Sequence, residues 1–256
     1  MHAATPERFR IEAMAHGATI AEIRKIDGKW ALIKDSPLNR RVTAATEIHL
    51  SGPVSGTDRV KTNADPSGRK VLGTLNNCSG AMTPWGTFVS GEENIHGYFS
   101  GALPEGHRET ANYQRLSIPS APYAWGHFED RFDLSKEPNE ANRFGWVVEV
   151  DPFDPQSVPK KRTALGRFKH EGADNVVAKD GRVAVYLGDD ERLDYVYKFV
   201  TAGRYDSTNR TANMDLLDTG TLHVAKFSAD GSVLWLPLVF GQGPITEANG
   251  FSNQAD

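Results

Sequence analysis

The chain has 256 residues with 29 Lys and Arg against 33 Asp and Glu, so its net charge is -4 at pH 7 and it offers no basic stripe for nucleic acid. Hydrophobic residues make up 39% of the sequence, which suffices for a core, and one cysteine excludes an internal disulfide. The sequence shows no run of 18 apolar residues and no charged N-terminal segment followed by an apolar one. It therefore predicts neither a transmembrane span nor a signal peptide.

Alternating apolar and polar residues predict short strands joined by tight turns. An Asp-Gly pair between two alternating runs is a strong hairpin signal, and such pairs occur at Asp27-Gly28, Asp180-Gly181 and Asp230-Gly231. The predicted strands cover residues 19–26, 30–33, 145–150, 175–178, 182–187, 194–200, 221–227 and 233–236. This all-β pattern of short antiparallel strands favours a β-propeller, and a β-sandwich is the structural alternative. No WD40 or kelch repeat is visible, so the propeller prediction depends on strand spacing.

Residues 100–143 interrupt the strand pattern. They contain the proline pairs Ile118-Pro119 and Ala121-Pro122, many charges and no strand period. Loops of this length are more often functional or disordered than simple connections. We expect a long irregular insertion, with some helix at 128–132, that decorates one face. Because the strand pattern resumes unchanged afterwards, we expect a single domain over residues 1–256.

The segment 72–94 carries the clearest chemical signal. It holds the only cysteine, Cys78, followed by Thr-Pro-Trp-Gly-Thr and then by the paired carboxylates Glu92 and Glu93. Thiolate prefers iron, copper or zinc, whereas carboxylate oxygens suit calcium and magnesium. The mixture predicts a metal site that includes these three residues. The alternative is a buried structural cysteine in a Gly-rich turn beside a solvated acidic pair.

Two later segments add acidic candidates. Glu171 precedes Gly172, which permits a tight bend that aims the carboxylate inward, although an ordinary polar loop is the alternative. Asp189 and Asp190 end an apolar strand next to a third acid, and adjacent like charges repel unless solvent, an arginine or a cation compensates. Either aspartate is a calcium candidate, and a solvated turn is the alternative.

Two further segments have simpler interpretations. Arg40 and Arg41 lie beside a turn and can hold an anion, although a surface salt bridge is the commoner outcome. Asp65 lies in a turn at 63–68, where an aspartate usually accepts hydrogen bonds from its own backbone. The sequence contains no HExxH, GxSxG, P-loop or GxGxxG motif, which leaves serine-hydrolase, kinase and nucleotide-binding interpretations without support.

Taken together, eight motifs resemble the PhoX family of bacterial alkaline phosphatases. The most specific combination is Asn76-Asn77-Cys78 with the later Thr-Pro-Trp-Gly-Thr and Glu-Glu-Asn. The matches run in order from about residue 18 to the C-terminus. They lie at residues 35–41, 50–53, 73–80, 83–87, 91–94, 170–173, 186–190 and 195–199.

The resemblance implies a β-propeller phosphomonoesterase that acts on small phosphate esters and is exported through the twin-arginine route to the periplasm or beyond. It also implies two ferric ions, bridged by an oxide and combined with calcium ions. Carried over by position, Cys78 and Glu171 would be iron ligands and Glu93 a calcium ligand. Asp189 or Asp190 is a weaker transfer that rests on the motif alone.

The chain departs from the family in length. Members of the family continue past the position that matches Asp256 into an Arg-Pro-Glu segment, which supplies a phosphate-binding arginine and a further metal-binding glutamate. Because these 256 residues contain no Arg-Pro-Glu, we expect a partial propeller that lacks its last blades. We expect this chain alone to show little activity, and its catalytic residues are left unassigned. The alternatives are a calcium-binding propeller lactonase or esterase, which would not need Cys78, and a non-catalytic propeller that binds partners on one face.

Overall fold

The structure is a computed structural model that describes residues 5–120, 122–123 and 125–256. Its helices are α1 (Pro6–Ala15), α2 (Thr110–Arg115) and α3 (Arg210–Asn213). Its strands are β1 (Ala18–Ile20), β2 (Ile23–Ile26), β3 (Lys29–Leu32), β4 (Arg40–Val42), β5 (Glu47–Ser51), β6 (Lys70–Leu72), β7 (Asn77–Met82), β8 (Phe88–Glu92), β9 (Val147–Val150), β10 (Lys160–Arg162), β11 (His170–Val177), β12 (Arg182–Asp189), β13 (Val196–Arg204), β14 (Gly220–Phe227) and β15 (Val233–Pro237). Short 3-10 helices lie at Asp58–Val60, Ile95–Tyr98, Trp125–His127, Asp130–Phe132, Glu140–Arg143, Thr163–Leu165, Leu216–Asp218 and Glu247–Asn249.

Most strands belong to two larger sheets. The first has six strands in the order β6-β5-β10-β9-β8-β7, and all its pairs are antiparallel except β5 with β10, where Ser51 lies opposite Arg162. The second is an antiparallel meander in the order β11-β12-β13-β14-β15. Two small sheets pair β1 with β4 and β2 with β3. The strands confirm a mostly β fold. In the described part of the chain no sheet closes on itself, so the propeller stays a prediction.

The Asp-Gly turns lie where the sequence predicts them. They join β2 to β3, β11 to β12 and β14 to β15, each as an antiparallel hairpin. Asp27 and Gly28 have φ values of 50° and 79°, the left-handed backbone that a two-residue hairpin turn with the right twist requires. The predicted strand at 19–26 is divided, because β1 pairs with β4 whereas β2 continues into the hairpin.

The long insertion forms core rather than decorating a face, so that prediction is wrong. Its side chains Tyr113, Trp125 and Phe132 are at most 1% exposed and belong to the same apolar cluster as Ile48 of β5. The rings of Trp125 and Phe132 meet edge to face with centroids 5.2 Å apart. Large aromatic side chains bury much apolar area, and residues on irregular segments can contribute this area to a core as well as residues on strands can. The predicted helical turn is present as the 3-10 helix that ends at Phe132.

The two larger sheets meet where β11 packs against β7 and β8. A second apolar cluster fills this junction with residues such as Val89, Val147, Phe168 and Phe199. The ends of β7, β8 and β11 are thereby brought together, and they carry the acidic and thiol candidates. Among the described residues no helix is long and apolar enough to cross a bilayer.

Candidate metal centre

Cys78 lies on an irregular part of β7. The register between β7 and β8 shifts between Asn77 and Gly80, and the Cys78 carbonyl accepts a hydrogen bond of 2.9 Å from Ser90 Oγ. A Cβ on Gly80 would lie 1.7 Å from the Val89 carbonyl oxygen, so only glycine fits there. Bulges of this kind re-aim side chains and are common beside active sites. The Cys78 thiol is half-buried at this bulge.

Glu93 follows the last residue of β8 and is held against the segment before Cys78. Its backbone N–H donates to the Asn76 carbonyl at 3.1 Å, and its Oε1 accepts from Asn94 Nδ2 at 2.7 Å. The Cys78 thiol and Asp190, at the end of the second sheet, both lie near enough to the Glu93 carboxyl to shift its pKa. Glu93 therefore lies between the thiol on one sheet and a carboxylate from the other.

Glu171 approaches the same place on β11. The pairing of β11 with β12 is irregular between His170 and Gly172, and Glu171 between them is exposed. β11 comes close to β8 because Gly91 has no side chain: a Cβ there would lie 2.6 Å from both Cβ and O of His170. Glu171 is near enough to Cys78 to act on its thiol electrostatically.

The electrostatics of this group are those of crowded negative charges. Burial first, and then the Glu93 and Glu171 carboxylates, raise the pKa of the Cys78 thiol. Burial and then Asp190 raise the pKa of Glu93, while Cys78 and the hydrogen bond from Asn94 act in the opposite direction. A bound cation would reverse these effects by favouring the ionised forms.

Cys78 thus lies within electrostatic range of Glu93 and Glu171. Glu93 in turn lies within that range of Asp190. Within residues 5–120, 122–123 and 125–256, no three or more His, Cys, Asp or Glu side chains already stand in the geometry of a metal site. Four of the six predicted ligands, Cys78, Glu93, Glu171 and Asp190, combine a soft thiol with hard carboxylates, a chemistry that suits a mixed metal centre.

The family follows from comparison with known proteins. A family model described as alkaline phosphatase PhoX matches residues 1–256. The chain belongs to the alkaline phosphatase PhoX family. This confirms the resemblance that the motifs indicate.

One solved structure is closely similar to this PhoX-family chain. It is described as Pseudomonas fluorescens PhoX in complex with vanadate, a transition state analogue, and it matches with a TM-score of 0.93 and 42% sequence identity. The match covers 99% of this chain and 45% of that one, so this chain spans less than half the length of the matched structure. No curated protein matches the chain.

Glu92, another predicted ligand in the PhoX motif, is fully buried. Its Oε1 accepts from Thr74 Oγ1 at 2.9 Å, Leu75 N at 3.0 Å and Lys161 Nζ at 2.8 Å. Its Oε2 accepts from the backbone N–H groups of residues 145 and 146 at 3.0 and 3.2 Å. Because five donors occupy this carboxylate, we leave Glu92 out of the proposed ligand set. Thr74 lies within the motif at residues 73–80, but nothing in the sequence connects it or Lys161 with Glu92.

The carboxylate of Asp189 is also engaged by hydrogen-bond donors of the protein. Its Oδ1 accepts from the backbone N–H groups of Lys169 and Glu191 at 3.3 and 3.1 Å, and Arg115 Nη2 lies 3.4 Å from Oδ2. Burial raises the pKa of Asp189, and these partners oppose the shift. Of the two neighbouring aspartates, Asp190 is the exposed one and the one that raises the pKa of Glu93.

The two other predicted features serve the fold. Arg40 donates to the carbonyl oxygens of residues 151, 155 and 157, and Arg41 to those of residues 14 and 16, so both arginines hold neighbouring backbone in place. Asp65 accepts from the backbone N–H groups of Ser67, Arg69 and Lys70 at 3.1, 2.8 and 2.8 Å, which confirms its predicted turn role.

An open groove of about 430 Å³ adjoins the candidate centre. Ser79 and Gly80 of β7 line one side, and Gly172 of β11 and Gly188 of β12 line the other. These residues neighbour Cys78 and Glu171 along their strands. A larger cavity of about 680 Å³ lies elsewhere, between Trp146, Phe168 and residues 251–256. The smaller groove is lined by neighbours of the candidate ligands and not by the ligands themselves.

Proposed function

We propose that this chain provides part of the metal centre of a phosphatase that hydrolyses phosphate monoesters. The observation that carries the proposal is the meeting of Cys78 with Glu93 and Glu171 at the junction of the two sheets. Family membership supports it, as does the likeness to a PhoX structure that holds a transition-state analogue. A calcium-binding lactonase would not need a thiol at this point, so the contact between Cys78 and Glu93 favours the phosphatase.

The donor chemistry supports a proposal for which metals bind. Cys78 and Glu171 would hold iron, because thiolate is a soft ligand, and Glu93 with Asp190 would hold calcium through carboxylate oxygens. Bound metal would neutralise the charge that develops on the phosphoryl group during hydrolysis. The protein residues hold the donors at fixed positions, and the adjoining groove gives a phosphate ester access from solvent. The catalytic acid or base and the phosphate-binding arginine stay unassigned.

We also propose that the two larger sheets are blades of one β-propeller domain. Each is a small, mostly antiparallel sheet, and their neighbouring edge strands β7 and β11 pack together beside the candidate centre. Membership of the PhoX family supports export to the periplasm or beyond, and the twin-arginine route is part of the proposal.

The test combines a metal measurement with an activity measurement. In the purified protein, Glu171→Gln keeps the shape of the side chain but removes its charge, and Asp230→Asn removes an exposed turn carboxylate as the matched control. We expect Glu171→Gln to lower the iron content of the protein and to reduce any hydrolysis of an aryl phosphate that wild type shows by about 10²–10³-fold, as losses of transition-state stabilisation do. The control should change neither. Normal iron content and turnover in Glu171→Gln would refute the proposed role of this centre.

A further inference from the structure

Asn94 ends the PhoX motif at residues 91–94 and follows the proposed ligand Glu93. We propose that Asn94 is a positioning residue that holds the Glu93 carboxylate against Cys78 and Asp190. The inference rests on the proposed metal centre and extends it, because Asn94 is not a ligand in that proposal. Its amide would fix the orientation of a ligand that contacts both sheets.

The contact that carries the inference is short and well defined. Asn94 Nδ2 donates to Glu93 Oε1 at 2.7 Å. Hydrogen bonds to an ionised carboxylate are shorter and about twice as strong as neutral ones. Glutamate has several freely rotating side-chain bonds, and the nearby Asp190 carboxylate repels it. Without a donor that holds Oε1, the Glu93 side chain would turn away from Asp190 towards solvent.

The backbone that carries Asn94 is itself fixed by Asn76. Asn76 Oδ1 accepts from the Asn94 N–H at 3.1 Å, and the Asn76 carbonyl accepts from the Glu93 N–H at 3.1 Å. Asn76 has a φ of 49°, a left-handed backbone that asparagine tolerates better than most residues. Its Nδ2 donates to the hydroxyl of the fully buried Tyr98 at 3.2 Å. Asn94 therefore projects from a rigid support towards Glu93.

The contacts of the Asn94 side chain favour this positioning role over a role in capping the following helix. Asn94 precedes the 3-10 helix Ile95–Tyr98, a position where an asparagine side chain usually caps the helix. Here its side chain makes no capping hydrogen bond. Its amide is directed at Glu93 instead, as expected of a group that orients a metal ligand.

The experiment uses Asn94→Ala and Asn94→Asp in the purified protein. Asn94→Ala removes the donor, and Asn94→Asp keeps the shape but places a second carboxylate beside Glu93. The matched control is Asn139→Ala, since Asn139 Nδ2 donates to the carbonyl oxygens of Asp58 and Lys61 at 3.2 and 3.0 Å, away from the candidate centre. The first readout is the Kd for Ca²⁺ of metal-stripped protein, measured by calorimetry.

Both Asn94 variants should bind Ca²⁺ about 10–100-fold more weakly than wild type, as losses of groups that orient metal ligands do. Asn94→Asp should show the larger loss, and melting temperatures should stay near that of Asn139→Ala. Ca²⁺ affinities within about twofold of wild type in both variants would overturn the inference, because a group that orients a ligand should change affinity more than that.

A second readout separates failure of the inference from failure of the proposed centre. If wild type binds neither calcium nor iron, the proposed centre is wrong, and the positioning of Glu93 is then judged from the reactivity of Cys78, the only cysteine. Glu93 contacts this thiol, so releasing Glu93 in Asn94→Ala should raise the rate of alkylation by iodoacetamide severalfold over Asn139→Ala. Equal rates in the two variants would overturn the inference without reference to metal.

Discussion

Lys161 and Glu92 form an ion pair of 2.8 Å in which neither side chain has any exposed surface. They lie on β10 and β8, the two strands that flank β9 in the six-stranded sheet. Lys161 Nζ also donates to the Arg143 carbonyl at 2.9 Å and lies 3.7 Å from the centre of the Phe144 ring. Burial lowers the pKa of Lys161 to about 8, although the attraction of Glu92 opposes the shift. Glu93, a proposed metal ligand, directly follows this buried carboxylate in the chain.

Lys161→Met should destabilise the protein strongly. The substitution leaves Glu92 as a buried charge without its cation, and breaking such pairs costs about 3–5 kcal/mol in the free energy of unfolding. Urea unfolding at pH 7 measures this value. Lys160→Met is the matched control, because the adjacent Lys160 pairs at 2.5 Å with Asp215, whose side chain is 67% exposed, and exposed pairs contribute about 0–1 kcal/mol. Equal effects of the two substitutions would contradict this interpretation of the buried pair.

Cys78→Ser tests the proposed iron ligand. A serine hydroxyl is not ionised at neutral pH, so iron content should fall sharply, whereas the carboxylates of Glu93 and Asp190 should retain part of the calcium. Elemental analysis of the purified protein gives both values, and Ser79→Ala on the same strand is the control. Unchanged iron content and unchanged activity would remove Cys78 from the ligand set.

Gly91→Ala should separate the two sheets at the candidate centre. The added Cβ would lie 2.6 Å from the backbone oxygen of His170, and overpacking of this kind costs about 1–3 kcal/mol. We expect a lower melting temperature together with less bound metal. Gly188→Ala is the control, because a Cβ there meets nothing within 4 Å. If both variants kept wild-type stability and metal content, close contact between β8 and β11 would not be needed to form the site.

The stabilising effect of Asp65 should depend on pH. Burial by itself raises the pKa of Asp65, but hydrogen bonds from Ser67, Lys70 and Arg69, with Arg143 nearby, bring it below its usual value. The native state therefore binds fewer protons than the unfolded state in the window between the two pKa values. The stabilisation is complete above the unfolded value of about 3.9 and is lost as pH falls through the lower native value.

Asp65→Asn should accordingly reduce stability at pH 7 by about 1 kcal/mol, the usual net worth of a lost hydrogen-bonding partner. The difference from wild type should shrink as the pH is lowered below about 4. Urea unfolding of both proteins at several pH values measures this difference. A difference that stays constant down to pH 3 would show that the charge of Asp65 contributes nothing.

Features set by neighbouring residues were predictable from the sequence. The hairpin at Asp27-Gly28 depends on two left-handed residues and an alternating pattern, both of which are local. The turn at Asp65 is local in the same way. The insertion was not predictable, because Trp125 and Phe132 are buried through 3-10 turns that leave no regular spacing in the sequence.

In the candidate centre, too, the features that depend on local sequence were predictable, and those that depend on distant partners were not. Residue chemistry selected Cys78 and Glu93, whereas the burial of Glu92 depends on partners far along the chain, such as Lys161. Adjacent residues at the end of a strand point to opposite sides, so two neighbouring glutamates can have unrelated environments. Asn94 was overlooked because its contact with Glu93 is visible only once the turn after β8 has formed.

The parallel pairing of β5 with β10 sets the order in which the first sheet can form during translation. Ser51 and Arg162 lie opposite each other but are 111 positions apart, so β5 gains this neighbour only after residue 162 has left the ribosome. Until then its inner edge presents free N–H and C=O groups to any other nascent chain. Closing so long a loop also costs entropy and slows folding. Between synthesis of β5 and of β10, this edge of β5 is therefore open to mispairing with other chains.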